Sequence, residues 1–137
     1  MKTLIKLSLV VAMAVGMAGC GKSPESTAEK FVKCVFLDGD VKSAEKYVKN
    51  PESGMSKFLV IDPLKEYVDR KWRKGAFDKV EFAGIKRTTY ESDNSATVTL
   101  KVLDASYRRS IEVKLSQVGS SDNWQVSGLG DWSDFDR

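Results

Sequence analysis

The spacing of apolar residues predicts helices in the first part of the chain and strands in the second part. Between Pro24 and Leu37, apolar residues recur three or four positions apart, which gives a helix one broad buried face. Ser23 can cap this helix, because the proline that follows it suits the first helical position; Ser26 with Glu29 offers a capping box as an alternative start. Gly39 then ends it, since glycine readily adopts the backbone conformation that closes a helix. The sequence therefore predicts a first helix over Pro24 to Leu37.

Two shorter helical patterns follow the first helix. Asp40 caps a second helix, and Asn50, which precedes a proline, ends it. Residues 53–56 then have the composition of a loop. Asp62 and the proline after it predict the start of a third helix, which ends at Gly75 after a basic last turn that suits the helix dipole. We therefore expect three helices before the pattern changes.

After residue 79 the apolar residues alternate with polar ones, which is the period of a half-buried β-strand. Residues 93–94, 104–106 and 119–123 are of the types that favour turns. Helices followed by such an antiparallel meander define the α+β class. The positions predicted to share one face of each strand are Val80, Phe82 and Ile85; Ala96, Val98, Leu100 and Val102; Tyr107, Arg109, Ile111, Val113 and Leu115; and Trp124, Val126 and Gly128.

The composition is that of a folded protein without a strong charge. The 137 residues are 42% hydrophobic and 30% charged, and a protein of this length forms one domain with its own core. The formal net charge of +3 gives no large basic excess for binding nucleic acid. The sequence has no histidine, which excludes Ser-His-Asp and Cys-His catalytic arrangements and the commonest metal ligand. We expect no metal and no other cofactor.

The first twenty residues carry the clearest signal in the sequence. Lys2 and Lys6 precede the apolar stretch Leu7–Ala18, whose 12 residues are too few for a transmembrane helix and fit a signal peptide. The stretch ends in Met-Ala-Gly-Cys, which resembles a lipobox, the processing site of bacterial lipoproteins. The resemblance implies cleavage between Gly19 and Cys20 and attachment of lipid to the Cys20 thiol.

The lipobox resemblance also gives the expected domain boundaries and location. Residues 1–19 would be the lipoprotein signal peptide, and residues 20–23 the lipidated cysteine with a short tether. Residues 24–130 would form a single α+β domain, and residues 131–137 an acidic C-terminal tail. The lipid would hold the domain in the cell envelope. Because Gly21 rather than an aspartate follows the cysteine, the resemblance favours the outer membrane, facing the periplasm, in a Gram-negative cell.

The order and lengths of the predicted elements resemble the nuclear-transport-factor-2-like (cystatin-like) fold of small bacterial lipoproteins. The resemblance rests on the first helix, the Asp-Gly-Asp turn at 38–40 and the Asp-Asn-Trp-Gln-Val segment at 122–126. It implies three helices packed on a curved four-stranded antiparallel sheet that encloses a cone. In relatives the cone is a ligand or catalytic pocket, or it is filled by side chains. The fold therefore indicates where a site would lie, but not its chemistry.

Five aromatic residues are candidates for lining such a cone: Phe31, Tyr67, Trp72, Tyr107 and Trp124. An apolar pocket with tyrosine hydroxyls as its polar groups would suit a small apolar ligand. The alternative is that these rings fill the core.

Catalysis inside the cone would need an acid or a base. Ketosteroid-isomerase-like relatives of this fold use an aspartate and a tyrosine there. Aspartates at caps and turns, by contrast, should be solvated and should bond backbone amides rather than act as bases. We therefore assign no catalytic residue and no metal ligand. The aspartates predicted at caps and turns are Asp38, Asp40, Asp62 and Asp104.

Two further groups of residues have both a functional and a structural interpretation. Cys34 lies within the first helix, where a thiol more often packs as a small apolar group than reacts. Basic residues occur in four pairs, which could face anionic lipid or form an ordinary mixed-charge surface. The pairs are Arg70-Lys71, Arg73-Lys74, Lys86-Arg87 and Arg108-Arg109.

These observations leave three hypotheses for function. The first is a membrane-tethered, non-enzymatic accessory domain that binds a small apolar molecule or another envelope protein. The second is an enzyme that uses the cone, of the isomerase or dehydratase kind. The third is a filled-core module that forms a homodimer through the sheet. A cone packed with side chains would leave interaction through the surface as the remaining mode of action.

Overall fold

The computed structural model describes residues 23–73, 79–117 and 123–136, and has three helices followed by a four-stranded antiparallel sheet, as predicted. The helical elements are α1 (Pro24–Val32), the π-helical turn π1 (Lys33–Leu37), α2 (Val41–Ala44), a 3-10 turn (Glu45–Tyr47), α3 (Gly54–Ser56), the π-helical turn π2 (Lys57–Ile61) and α4 (Asp62–Arg73). The strands are β1 (Val80–Ser92), β2 (Ser95–Asp104), β3 (Tyr107–Gln117) and β4 (Trp124–Leu129), and a 3-10 turn (Ser133–Asp136) follows. The predicted end of the third helix at Gly75 lies outside the described residues.

The first helix runs through α1 and π1, which confirms its predicted extent. The Ser23 hydroxyl accepts a hydrogen bond from the Ser26 backbone N–H at 3.1 Å, and Pro24 occupies the first turn. Gly39 follows the helix with a φ of 65°, the left-handed conformation that glycine adopts readily. The apolar face is buried against the sheet and forms the centre of the core. Its fully buried residues are Ala28, Phe31, Val32, Val35 and Phe36.

The second helix consists of α2 and the 3-10 turn that continues it. Asp40 caps it, since its two carboxylate oxygens accept hydrogen bonds from the Ser43 backbone N–H at 3.0 Å and the Ser43 hydroxyl at 2.7 Å. Val48 then leaves the helix in an extended conformation. The next residue, Lys49, donates its backbone N–H to the Val126 carbonyl at 2.8 Å, which ties this segment to β4.

The third helix begins at α3, earlier than the predicted start at Asp62. Ser53 caps it by accepting a hydrogen bond from the Ser56 backbone N–H at 3.1 Å, so residues 53–56 form the helix start and not a loop. Pro63 therefore lies inside the helix, where a proline removes one N–H and crowds a carbonyl in the preceding turn. The wider turn π2 ends at Ile61, two residues before this proline, and contains Leu59, whose carbonyl the proline ring would crowd in a regular α-helix.

The sheet is a meander in the order β1-β2-β3-β4, with each strand antiparallel to its neighbour. β2 and β3 pair without interruption, with Leu100 opposite Ile111. β1 has 13 residues and shifts its register against β2 three times. Gly84 lies at the first shift with a φ of 108°, a conformation that a side chain with a Cβ rarely adopts. Such β-bulges bend a sheet, and they allow this one to curve around the first helix.

Residues 131–135 of the segment expected to be an acidic tail (131–137) pack on the domain, and residue 137 lies outside the described residues. Phe135 is buried, and Trp132 packs half-buried against the same core. The Asp134 carboxylate accepts a hydrogen bond from the Ser110 backbone N–H of β3 at 2.8 Å. Burying one large apolar side chain contributes roughly 1.5–3 kcal/mol, so two aromatic rings can hold an acidic segment in place. The 3-10 turn that follows β4 is therefore held against the core and β3.

Candidate functional site

Among the described residues, side chains of the first helix and of the sheet fill the cone expected between them. Phe31 and Val35 of the first helix are fully buried in one core cluster with Leu100 and Ile111 of the two central strands. Protein interiors are packed as densely as organic crystals, so a ligand would have to displace these side chains. The position that holds a pocket in some proteins of this fold is therefore part of the core in this one.

Of the five aromatic residues predicted to line the cone, the structure describes the side chains of four. Phe31, Tyr67 and Trp124 are buried, whereas Tyr107 is 66% exposed on β3. The side chain of Trp72 lies outside the described part of the protein. Of the four that can be placed, three are thus core residues, and Tyr107 presents its ring to solvent.

A buried ion cluster lies where β2 turns into β3. Oδ2 of Asp104 accepts hydrogen bonds from Nζ of Lys71 at 2.5 Å and from Nε of Arg109 at 3.1 Å. All three side chains are largely buried. We expected a solvated turn for Asp104 and surface positions for the two basic residues, and the structure corrects these expectations. A buried carboxylate needs such partners, because an unpaired buried charge is very costly.

Strand geometry explains why two of these charges point inward. Side chains two residues apart on a strand share a face, so Asp104 lies on the same face of β2 as the buried Val102. Arg109 is the register partner of Val102 on β3, and so it lies on the core side as well. The alternation in the sequence could therefore have placed both charges inside. The pairing of Asp104 with Lys71 depends on how the third helix packs, for which the sequence has no local signal.

Four aromatic rings pack beside the ion cluster. The Phe36 ring centroid lies 5.3 Å from that of Tyr67 and 4.5 Å from that of Phe135. The Trp132 ring lies 6.1 Å from Tyr67 in an edge-to-face arrangement. Each such pair contributes about 0.5–1.5 kcal/mol beyond the burial of the rings. Two of the four rings come from the C-terminal segment, which the sequence analysis did not include in any site.

Arg109 connects the ion cluster to an open pocket on the surface. Its guanidinium donates a hydrogen bond to the backbone carbonyl of Asp134 and lies 5.5 Å from the centroid of the Tyr107 ring. The pocket has a volume of about 470 Å³ and is lined by Tyr107, Arg108, Arg109 and Asp134, which we call the rim site. Because Tyr107 and Arg108 are both exposed, the rim site presents a phenol ring and a guanidinium to solvent.

Tyr67 and Asp104 lie beneath the rim site but are poorly suited to acid–base catalysis. Burial, together with the nearby Asp104 carboxylate, raises the pKa of the Tyr67 hydroxyl to about 12. This hydroxyl is therefore protonated at neutral pH and cannot act as a base. The Asp104 oxygen that bonds Lys71 also bonds Arg109, so the carboxylate serves to hold two elements together.

Other candidate residues have structural or solvated positions. Burial raises the pKa of the Cys34 thiol, which packs against the core, and a neutral thiol is a poor nucleophile. Hydrogen bonds from the start of the second helix lower the pKa of the Asp40 carboxyl, as expected for an exposed cap. The side chains of the basic pair at 73–74 lie outside the described residues. The basic residues of the other pairs that are exposed are Arg70, Lys86, Arg87 and Arg108.

Residues 23–73, 79–117 and 123–136 contain neither a cluster that could hold a metal nor a helix that could span a membrane. Among these residues, no group of three or more Cys, Asp or Glu side chains is placed to hold a metal ion. In the same part of the protein, no helix is long and apolar enough to cross a membrane. Gly19, Cys20 and the predicted signal peptide lie outside it, so lipid attachment stays a prediction.

The fold is nuclear-transport-factor-2-like, as the sequence predicts. A crystal structure from Campylobacter jejuni, of a protein described as a candidate NTF2-like transpeptidase, is similar to this protein with a TM-score of 0.55 and 26% sequence identity. The similarity covers 76% of this chain and 96% of that one. No protein-family model matches the sequence, and no curated protein is significantly similar to it. The similarity confirms the fold, and the function has to be argued from the site.

Proposed function

We propose that this protein is a lipid-anchored, non-enzymatic accessory domain of the bacterial cell envelope that binds a partner protein through the rim site. The observation that supports the proposal is the cone filled by described core residues, which favours the surface as the place for binding. A small apolar ligand would have to displace buried core residues, so a protein partner is favoured over a ligand inside the cone.

The lipobox resemblance supports the anchor. Three residues separate Cys20 from Pro24, where the first helix begins. Three extended residues span about 10 Å, so lipid on Cys20 would keep the domain close to the membrane surface. Each buried methylene of an acyl group contributes about 0.8 kcal/mol, and two or more acyl groups hold a protein stably. Gly21 favours the outer membrane by the same resemblance, with the domain in the periplasm.

The chemistry of the rim site suits a protein interface. Tyrosine and arginine are among the residues most enriched at the positions that dominate the energy of protein interfaces. Tyr107 and Arg108 provide both types side by side, and both are exposed. Arg109 is held in place by Asp104 and by the Asp134 carbonyl, so part of the site is already ordered before a partner binds.

The charges of the rim site favour an acidic partner. Among the described residues, no ion pair engages the exposed guanidinium of Arg108. The Asp134 carboxylate, which lines the same pocket, accepts a hydrogen bond from the Ser110 backbone N–H. A carboxylate of the partner can form two parallel hydrogen bonds with a free guanidinium. We therefore expect an aspartate, a glutamate or a terminal carboxylate at the centre of the partner's surface.

The other two hypotheses place different demands on the structure. An isomerase-like enzyme needs an open cone in which an acid and a tyrosine hydroxyl face the substrate, whereas Asp104 and Tyr67 are buried at its end. A homodimer through the sheet needs an apolar outer face, whereas the outer face of β2 carries Thr97, the buried Thr99 and Lys101 before a single leucine, Leu103, at its end. Binding through the rim site needs neither condition.

Site-specific photo-crosslinking in cells tests the proposal. A photoreactive phenylalanine analogue replaces Tyr107 in the lipidated protein, and Tyr90, which is 56% exposed on β1, is the matched control position. We expect a discrete crosslinked partner from position 107 that is absent at position 90 and is lost in an Arg108→Glu variant. Crosslinks between two copies of the protein alone would instead support the dimer hypothesis. Crosslinking at position 107 no greater than at position 90 would contradict the proposal.

A further inference from the structure

An apolar patch is exposed at the start of the third helix. Met55, Phe58 and Leu59 are 68%, 72% and 50% exposed, and we call these three residues the apolar patch. Their spacing of three and four positions puts them on one face of the helix. Large apolar side chains that are exposed together mark an interaction surface, whereas single ones need no explanation. The rim site does not use these residues.

The exposed face of the third helix changes from apolar to charged after Leu59. A helix that faces water along its whole length carries polar residues along its whole outer face. The first turns of this helix depart from that rule, which indicates that they meet an apolar partner. The exposed residues that follow on the same helix are Asp62, Lys65, Glu66, Asp69 and Arg70.

The apolar patch lies at the end of the domain where the first helix begins. Thr27 donates its Oγ1 hydrogen to the Trp124 carbonyl at 3.1 Å. Two residues further along β4, the Val126 carbonyl accepts a hydrogen bond from the Lys49 backbone N–H at 2.8 Å. The Lys49 carbonyl in turn accepts a hydrogen bond from the Ser56 hydroxyl at 2.8 Å. Two residues of a strand span about 7 Å, so these bonds bring the starts of both helices to the same end.

Both helices run away from this end in the same direction. Phe36, in the last turn of the first helix, contacts the Tyr67 ring in α4. One turn later, Lys71 reaches Asp104 at the far end of β2. The rim site therefore lies at the opposite end of the domain from the apolar patch.

The charge around the apolar patch suits an anionic membrane. Lys46 and Lys49 of the preceding segment are exposed, and so is Lys57 within the third helix. Glu52 is an exposed acidic residue of the same region, so the three lysines leave a positive balance there. Lysines next to an apolar surface favour binding to bilayers that carry anionic headgroups.

We propose that the apolar patch inserts into the headgroup region of the bilayer to which lipid on Cys20 attaches the protein. This inference rests on the lipid anchor of the proposed function. The tether between Cys20 and Ser23 spans about 10 Å at most, which holds the start of the first helix, and with it the apolar patch, near the headgroups. The apolar side chains of an amphipathic helix insert at the boundary between headgroups and acyl groups. The rim site then faces away from the membrane.

Fluorescence quenching in vesicles tests this placement. The lipidated protein, with Cys34→Ser to remove its free thiol, is labelled through Phe58→Cys with a fluorophore and reconstituted into phosphatidylethanolamine–phosphatidylglycerol vesicles. Glu66→Cys, exposed further along the same helix, is the matched control. We expect lipids that carry a quencher below the headgroup to quench the label at position 58 severalfold more than at position 66, and aqueous iodide to give the reverse order. Met55→Cys provides a second position if Phe58→Cys alters the fold.

The mass of the purified protein separates failure of the inference from failure of the anchor. Equal quenching at positions 58 and 66, in protein whose mass includes lipid on Cys20, would overturn the inference and leave the anchor intact. Protein without lipid on Cys20 would overturn the anchor and, with it, the inference. A label at position 58 that is shielded from iodide but not quenched from the bilayer would assign the patch to a protein partner or a second copy, against the proposal.

Discussion

The ion cluster around Asp104 permits a quantitative test of the structure. Asp104→Asn keeps the shape of the side chain but removes the negative charge between Lys71 and Arg109. Two cations then share a largely buried position without a counter-charge. Removing one partner of a buried ion pair costs about 3–5 kcal/mol. Because the asparagine oxygen still accepts a hydrogen bond, we expect the free energy of unfolding to fall by about 3 kcal/mol, at the lower end of that range.

Urea denaturation followed by tryptophan fluorescence measures this loss. The matched control is Glu29→Gln, which removes the same charge from the exposed pair that Glu29 forms with Lys33 at 2.7 Å. An exposed pair one helical turn apart contributes about 0.3–0.5 kcal/mol, so the control should change little. A loss of less than about 1 kcal/mol for Asp104→Asn would refute the argument, because it would mean that the three charges are solvated.

A double-mutant cycle separates charge pairing from general damage to the fold. Lys71→Met removes one of the two cations that pair with the Asp104 carboxylate among the described residues, leaving Arg109, and should destabilise the protein. In the Asp104→Asn background the same change removes an unpaired cation, so it should cost less or even stabilise. Strictly additive effects would show that Lys71 and Asp104 do not interact.

Ring burial, tyrosine ionisation, the filled cone and lipid attachment each give a further result to measure. Phe135→Ala should lower the free energy of unfolding by about 3–5 kcal/mol because the ring is buried, and a loss under about 1 kcal/mol would mean that the C-terminal segment is not docked in solution. Stability should fall as the pH rises from about 10 to about 12, because unfolded Tyr67 ionises at its ordinary pKa of about 10 whereas the pKa of the folded hydroxyl is about 12. Tyr67→Phe should remove this fall in stability. If the free energy of unfolding of the variant depends on pH in the same way as that of the unmodified protein, the hydroxyl is not buried. Native mass spectrometry should give the mass of the protein and its lipid alone, and a persistent small molecule would contradict the filled cone. Cys20→Ser should abolish lipid labelling in cells, and normal labelling of this variant would exclude the lipobox assignment.

The elements with strong local signals were predictable from the sequence. Ser23 and Asp40 accept hydrogen bonds from the first turns that follow them, as their residue types and positions indicated. The alternation of β2 and β3 predicted which residues share the core face, because the side-chain period of a strand does not depend on the rest of the fold. These elements were enough to identify the fold class.

The features that depend on distant contacts were not predictable in the same way. Asp62 and Pro63 have the pattern of a helix start, but the helix extends in front of them because a π-helical turn accommodates the proline. Phe135 lies between acidic residues, so the local sequence does not indicate that its ring is buried. The rings it packs against are far away in the sequence. The candidate site was predicted least well. The sequence analysis places Asp104 in a solvated turn, whereas its pairing with Lys71 depends on tertiary contacts.

The two edge strands of the sheet, β4 and β1, differ in how readily they could pair with other molecules on a crowded membrane. At β4, the parallel β-bridge between Val48 and Val126 covers part of the free edge of the strand. β1 is the other edge strand, and in the described part of the sheet it pairs on one side with β2. The proposed lipid anchor would confine the molecules to a membrane surface, where straight, unpaired edge strands of neighbouring copies would pair into fibres. The register shifts of β1 and the charges of Lys86 and Arg87 disfavour such pairing. We therefore expect the protein not to aggregate edge to edge, even at high density on a membrane.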